Sequence, residues 1–331
     1  MYYEDKLDSL RDIFGSPELE LGKDCLLVGK KRYPIVDDVI ILLEPDQYPA
    51  ALKARLAIES SSPQDREEFA EDIQYTFGEE WKTYNRVLPE HEREFHEYFD
   101  IVDPDSLKNA RVCDLGCGIG RWAYFLQHRV GEMVLVNFSE AIFEARRNLA
   151  DADNALFFMA DLKCLPFRDD FADFLYCLGV LHHLPTPALQ EVRMLSRYTP
   201  QLLIYLYYAL DNRAMHFRML LAAATLLRGL LSRIHGALAR KLITELLMWM
   251  AYLPCIALGH LLAPLGLGRY VPLYEGYHGK SLSRIRQDVY DHFFTRIEQR
   301  FSRQQILQMT DTFQEIVISD GIPYWHFLCR R

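Results

Sequence analysis

Short apolar runs alternate with amphipathic stretches through the middle of the chain. Five such runs, at 111–115, 133–138, 155–159, 173–178 and 201–208, have the length and composition of buried strands. The stretches between them carry the spacing of helices. Strands separated by single helices are joined by right-handed crossovers. This part of the chain therefore predicts an α/β fold with a parallel sheet.

The two ends of the chain show other patterns. Residues 1–60 contain short apolar runs separated by turns, which indicates a small β-meander. Residues 61–107 are rich in charge and predict a helical cap. Residues 301–331 predict a capped helix followed by two strands. A late hairpin that joins a parallel sheet implies one antiparallel strand, so this segment would complete the core formed by 108–210.

A helical insertion is predicted between the fifth strand and the C-terminal hairpin, over 211–300. Within it, 213–268 is strongly apolar, and 246–268 contains no Asp, Glu, Lys or Arg. A stretch of this length could span a bilayer. The basic residues before it favour a hairpin at a membrane surface. Prolines, glycines and a histidine in the apolar run weaken the case for a span. A lid packed on the sheet is the interpretation that we prefer over either membrane arrangement.

Charge is unevenly distributed along the 331 residues. The net charge of −9 argues against extensive nucleic-acid binding. However, residues 200–331 contain 15 Lys and Arg against 9 Asp and Glu, whereas the remainder contains 22 against 37. Either the C-terminal third meets an anionic surface or partner, or the two parts attract each other.

The cysteines and the N-terminus predict a cytoplasmic protein. Seven cysteines, with no C-x-x-C pair, do not suggest a disulfide framework. The first residues lack a basic segment followed by an apolar one, so we expect no signal peptide. If 213–268 forms a surface hairpin, the protein would also be peripheral to the inner membrane.

One glycine-rich turn concentrates the candidate chemistry. The apolar run that ends at Leu115 meets Gly116, Gly118 and Gly120 at alternating positions, and an amphipathic run follows. Glycine lets the backbone approach a ligand closely. The start of a helix offers free N–H groups and the positive end of its dipole. We expect a small ligand with carboxylate or hydroxyl groups at this turn.

Three motifs in chain order resemble those of class I S-adenosylmethionine-dependent methyltransferases. Asp114-Leu-Gly-Cys-Gly-Ile-Gly120 is similar to the family's first motif, D/E-x-G-x-G-x-G. Residues 160–174 resemble its adenine-proximal segment, and 178–184 its loop after strand four. The resemblance implies a Rossmann-like, seven-stranded sheet with one antiparallel strand. It also implies S-adenosylmethionine as the cofactor, in a bacterial subgroup with a helical insertion.

The N-terminal meander carries a second resemblance. Tyr33-Pro-Ile-Val-Asp-Asp-Val39 is similar to a segment of the small zinc-ribbon-derived partner family of methyltransferases. That family's cysteine pairs are absent here, because Cys25 stands alone. We therefore expect no zinc site.

The methyltransferase resemblance implies a role for each residue of its motifs. Asp114 would receive the amino group of the methionine moiety, directly or through water, and Asp161 would accept a hydrogen bond from adenine. Asn137 stands where the family normally carries a carboxylate for the ribose, so its amide would accept without charge. No metal is expected, since the sulfonium methyl is already activated. The predicted cofactor-binding residues are Asp114, Gly116, Cys117, Gly118, Gly120, Arg121, Asn137, Phe138, Asp161, Leu162 and Leu178.

His182 and His183, in the loop after strand four, are the candidate catalytic residues. An imidazole could take a proton from an oxygen or nitrogen nucleophile; the alternative is that one of them caps the next helix. The predicted acceptor pocket comprises Phe77, Trp81, Tyr84, Tyr207 and Asp291.

The function that these predictions favour is methylation of a small-molecule or lipid-like acceptor at an O, N or C atom. A tRNA or protein methyltransferase is the first alternative. A non-catalytic regulatory protein that binds S-adenosylmethionine is the second. No sequence-specific nucleic-acid partner is expected, and the sequence leaves the oligomeric state open.

Overall fold

The computed structural model describes residues 2–58, 85–234, 236–321 and 325–331. The strands are β1 Leu19–Leu21, β2 Cys25–Val28, β3 Lys31–Val36, β4 Val39–Ile41, β5 Arg111–Leu115, β6 Glu132–Asn137, β7 Ala155–Met159, β8 Phe174–Leu178, β9 Gln201–Leu206, β10 Glu315–Ile318 and β11 Trp325–Arg330. The helices are α1 Leu7–Phe14, α2 Ala50–Arg55, α3 Glu90–Tyr98, α4 Arg121–Leu126, α5 Ala141–Asn148, α6 Ala188–Leu195, α7 Met215–Leu231, α8 Ala237–Leu247, α9 Leu253–Leu262, α10 Tyr274–Tyr277, α11 Leu282–Phe294 and α12 Arg303–Leu307.

All of these strands join one mixed sheet, in the order β1-β2-β3-β4-β7-β6-β5-β8-β9-β11-β10. The neighbours from β7 to β9 run parallel, as the alternation of apolar and amphipathic stretches predicted. β11 lies between β9 and β10 and is antiparallel to both. β5, which carries the glycine turn at its carboxyl end, occupies the middle of the parallel part.

Within the described ranges the sheet has eleven strands, so the predicted count of seven is wrong. The N-terminal meander continues the sheet, because β4 pairs in parallel with β7 through Ile40 with Phe158 and Ile41 with Met159. Both isoleucines are fully buried. Pairing closes the open edge of β7 and removes apolar side chains from water. The predicted domain boundaries and the resemblance of 33–39 to the partner family remain predictions.

Of the helices after β9, α7 and α8 pack against α11. α8 continues through a π-helical segment, Met248–Tyr252, into α9. Met248, Tyr252 and Ile256 of this run form a buried cluster with apolar side chains of α11. The run Ala237–Leu265 is long and apolar enough to cross a membrane, by length and composition only, and 22% of its most apolar window is buried. Its remaining face is exposed.

Candidate cofactor and acceptor site

A cavity of about 210 Å³ opens at the carboxyl ends of the parallel strands. It lies where β5 separates β6 on one side from β8 on the other. Because the strand order reverses there, this is the place at which α/β sheets bind ligands. One part of the lining comes from the loops after β5, β6, β7 and β8, and the other from α10, α11 and several tyrosines. We call these the cofactor half and the acceptor half.

The glycine turn forms the floor of the cofactor half. Gly116 and Gly118 line the cavity with φ of 81° and 54°, a region that side chains disfavour. A Cβ on Gly116 would lie 2.4 Å from Cγ2 of Val180. Gly120 does not line the cavity: it directly precedes α4, and a Cβ there would meet Leu149, the residue after α5, at 2.6 Å. Its glycine is therefore explained by packing of the helices.

Asn137 holds the glycine turn to the end of β6. Its Oδ1 accepts a hydrogen bond from the Gly118 N–H at 3.2 Å, and its Nδ2 donates to Oγ of Ser139 at 2.9 Å. A backbone N–H can only donate, which fixes the orientation of the amide. A structural role of this kind was not predicted, although it suits an amide, which both accepts and donates.

Asp114 is buried next to the cavity but does not line it. Its side chain lies among apolar residues near Tyr176. Burial raises the pKa of Asp114 to about 7, although Tyr176 and Arg121 act in the opposite direction. A cation bound nearby would favour its ionised form. The predicted contact with an amino group therefore requires water or a small movement.

The remaining predicted cofactor residues all line the same cavity, namely Cys117, Arg121, Asn137, Phe138, Asp161, Leu162 and Leu178. Asp161 follows β7, and its Oδ1 accepts a hydrogen bond from the Lys163 N–H at 2.9 Å. A glycine cradle, a carboxylate and apolar side chains thus face one space. These groups fit S-adenosylmethionine, which combines an amino acid, a ribose and an aromatic base.

His183 is the catalytic candidate that reaches the cavity. Its Nδ1 lies 2.9 Å from the carbonyl oxygen of Ile297. A carbonyl only accepts, so Nδ1 carries the proton and Nε2 is the basic nitrogen of the neutral ring. Nε2 lies 3.9 Å from Oδ1 of Asp291. Asp291 also accepts hydrogen bonds from Tyr207 at 3.0 Å and Thr295 at 3.1 Å.

His182 occupies a different environment from its neighbour. It is fully buried and does not line the cavity. Its ring stacks on Tyr207 with 4.0 Å between ring centroids. Burial lowers the pKa of His182 well below its usual value, with a further contribution from His183. Its position suits support of Tyr207 rather than proton transfer.

Sequence reasoning missed a buried charge network that walls the acceptor half. Glu94 of α3 pairs with Lys280 at 3.2 Å and with Arg284 of α11 at 3.1 Å. Asp288 pairs with the same two cations. Burial alone would raise the pKa of Glu94, but Arg284 and Lys280 outweigh it and lower the pKa to about 2. The i, i+4 spacing of Arg284 and Asp288 was the only sequence signal.

Phe77, Trp81 and Tyr84 lie outside the described residues, so their place in the acceptor pocket stays a prediction. Within the described ranges, no group of three or more His, Cys, Asp or Glu side chains could hold a metal ion.

Comparisons with known proteins find a methyltransferase domain in one part of the chain. Residues 112–198 match the family profile of a methyltransferase domain. Methyltransferase GfsG of Streptomyces halstedii is 25% identical over 122 residues, which cover 35% of this chain and 43% of that protein. The matched part is thus less than half of that relative.

Solved structures give partial likenesses. Magnesium protoporphyrin IX methyltransferase (ChlM) of Synechocystis PCC 6803 with bound SAH has a TM-score of 0.34 and 21% identity, and covers 54% of this chain and 74% of its own. The match to the DhpI-SAM-HEP complex has a TM-score of 0.45 and 12% identity, and it covers 81% of this chain and 100% of that chain.

The fold and the site define a class of protein. Residues 112–198 match a methyltransferase domain, their strands have a Rossmann-like parallel order, and S-adenosylmethionine is the cofactor of such a domain. The chain therefore contains a domain that is similar to those of methyltransferases.

Proposed function

We propose that this chain transfers the methyl group of S-adenosylmethionine to a small acceptor molecule, with His183 as general base. One observation carries the proposal. The glycine turn and the His183–Asp291 pair line a single cavity, so a cofactor on the turn and an acceptor beside His183 would share it. Alignment of the two reactants is the main requirement of such a transfer.

The cofactor half would hold S-adenosylmethionine through Gly116, Gly118 and Asp161, with the adenine against Phe138 and Leu162. When bound, the cofactor supplies a methyl group on a positively charged sulfur. Arg121 lies on the cavity wall with its guanidinium 4.7 Å from the ring centroid of Trp122. From there it would neutralise the carboxylate of the methionine moiety.

His183 would remove a proton from the acceptor. The carbonyl of Ile297 accepts the hydrogen bond of Nδ1, so Nε2 is the nitrogen that would take that proton. Once protonated, the ring carries a positive charge, which the Asp291 carboxylate at 3.9 Å would stabilise. Tyr207 and Thr295 keep Asp291 in position. Nucleophiles whose proton must leave, such as a hydroxyl or an amine, suit this arrangement.

The lining favours a small acceptor that is polar and partly aromatic. Four tyrosines, Tyr98, Tyr205, Tyr207 and Tyr277, line the acceptor half, together with the paired charges of α11. Long flexible chains of RNA or protein would have to enter a space walled by α3, α10 and α11. A lipid-like acceptor fits if its polar head group enters the acceptor half.

A methyl-transfer assay with radiolabelled S-adenosylmethionine tests the proposal against a panel of phenols, amines and lipid extracts. We expect label in an extractable product, and loss of roughly 10²- to 10⁴-fold in kcat for His183→Gln with unchanged cofactor affinity. Gln retains a polar side chain of similar reach but cannot act as the base.

Three results would contradict parts of the proposal. Label in RNA or protein would overturn the small-acceptor assignment. Tight cofactor binding without turnover of any acceptor class would favour the regulatory alternative. Full activity of His183→Gln would remove its role as base.

A further inference from the structure

Exposed large hydrophobic side chains are concentrated in one region. Among the described residues, 16 of the 20 such side chains lie between 215 and 270, on α7, α8, α9 and the segments that join and follow them. We call these side chains the apolar surface. Leu226, Leu238 and Met250 are 76%, 72% and 73% exposed. Isolated exposed leucines are ordinary, but a group of this size indicates an interaction site.

The run from α8 to α9 is apolar on two opposite faces. Met248, Tyr252 and Ile256 are buried against α11. Leu238, Leu242, Leu246 and Trp249, at helical spacing, remain exposed on α8 and the π-helical segment. An amphipathic helix of a water-facing protein would carry charges there. Folding of the described residues therefore does not explain why this exposed face is apolar.

Within the segment 215–270 itself, the exposed charges have one sign. Between 215 and 270, the exposed ionisable side chains with a full charge are Arg218, Arg233, Lys241 and Arg269, and no Asp or Glu is exposed. The single acidic residue, Glu245, is partly buried and pairs with Arg286. The whole chain carries −9. The charges of this segment thus favour an anionic partner, although the net charge of the whole chain is negative.

We propose that the apolar surface docks the protein on an anionic lipid bilayer. Leucines, Trp249 and Tyr270 would enter the boundary between head groups and acyl chains, while the four cations meet lipid phosphates. A second copy of the chain is a poorer occupant, since a symmetric contact would bring the same cations together. Crossing the bilayer would uncover the face that packs against α11.

α11 connects this docking to the site. Its apolar face, with Ile285 and Val289, packs against the run from α8 to α9, and its polar face, with Arg284 and Asp288, walls the acceptor half. A protein docked in this way would keep the acceptor half beside the bilayer. The docking itself does not depend on the proposed methyl transfer.

Co-flotation of the full chain with vesicles tests the docking. We compare phosphatidylcholine vesicles with vesicles that also contain phosphatidylglycerol, each at low and high salt. We expect binding to the anionic vesicles, little binding to the neutral ones, and release by salt because the cations act at the surface. Release by alkaline carbonate is also expected, as for a peripheral protein.

Two variants locate the contact. Arg233→Glu with Lys241→Glu should weaken binding to anionic vesicles at least about 25-fold, since each basic residue near the surface contributes about fivefold. Leu242→Ser with Trp249→Ser should weaken it by the loss of apolar contact. Met194→Ser, at a 56% exposed position of α6 outside the apolar surface, is the matched control and should bind as the wild type.

Four results would overturn the proposal. They are equal binding to neutral and anionic vesicles, wild-type binding by both double variants, resistance to carbonate extraction, and self-association without vesicle binding that the Leu242→Ser, Trp249→Ser variant abolishes. Unchanged thermal unfolding of the variants, measured in parallel, excludes misfolding as the cause of lost binding.

Discussion

Asp114 is a buried carboxylate whose ionisation opposes folding. Its pKa is about 7 in the fold and close to 3.8 in the unfolded chain. The protonated form is thus preferred in the fold, and the stability that this preference contributes is present below about pH 3.8 and lost as the pH rises to about 7. The effect is on the order of 4 kcal/mol.

Asp114→Asn should therefore unfold at a higher temperature than the wild type at pH 8, with little gain at pH 4. The same change should weaken binding of S-adenosylmethionine by at least about tenfold, because the amide cannot carry the charge that an ammonium group favours. Wild-type affinity should also decline below about pH 7. Thermal unfolding and calorimetry check both parts, and an Asp114→Asn variant that binds normally would refute the assignment.

The Asn137 amide is the second residue whose role can be isolated. Asn137→Ala removes the hydrogen bonds to Gly118 and Ser139. We expect a loss of about 1–3 kcal/mol in the free energy of unfolding and weaker cofactor binding, because the glycine turn is no longer held. Ser139→Ala, which leaves the bond to Gly118, should cost less. Equal denaturation midpoints for the two variants would contradict this account.

At the scale of elements, α3 and α11 are joined by buried charges. Glu94→Gln leaves Lys280 and Arg284 with one carboxylate, and should cost about 3–5 kcal/mol in the free energy of unfolding. Glu97→Gln is the matched control: it lies on the same helix in an exposed pair with Arg93 and should cost less than about 1 kcal/mol. Urea denaturation distinguishes them.

The pH dependence of this contact follows from the lowered pKa of Glu94. The pKa of Glu94 is about 2 in the folded protein, below its usual value of 4.5. The stability that ionised Glu94 contributes to the fold is therefore present above about pH 4.5 and is lost as the pH falls towards 2. Glu94→Gln should abolish that part of the acid sensitivity. Identical acid unfolding of the two proteins would show that the network does not join the helices energetically.

At the scale of the whole molecule, the meander and the core share buried clusters. They should therefore unfold together. Ile41→Ala, at a fully buried position that pairs with β7, should lower the stability of the entire chain by about 2–5 kcal/mol in one transition. Glu20→Ala, at an exposed position of β1, should leave it unchanged. Two separate calorimetric transitions would show that residues 2–58 fold independently.

Local patterns predicted the parts of the fold that local forces determine. Strand, glycine turn and helix follow from residues 111–126, and the placement of Asp161 after β7 follows from the third apolar run. The pairing of β4 with β7 joins residues more than a hundred positions apart, and Glu94 meets Arg284 across 190 positions. Three-dimensional packing determines such partners, and the periodicity of the sequence contains no information about them. For the same reason, His183 could not be distinguished from His182 before the cavity was known.

Calorimetric titration of the purified chain with S-adenosylmethionine and S-adenosylhomocysteine tests the central claim most directly. We expect saturable binding of both ligands to the wild type, and a large loss for Gly116→Ala, whose Cβ would lie 2.4 Å from Val180. Failure of the folded wild-type protein to bind either ligand would contradict the claim that the glycine turn holds this cofactor.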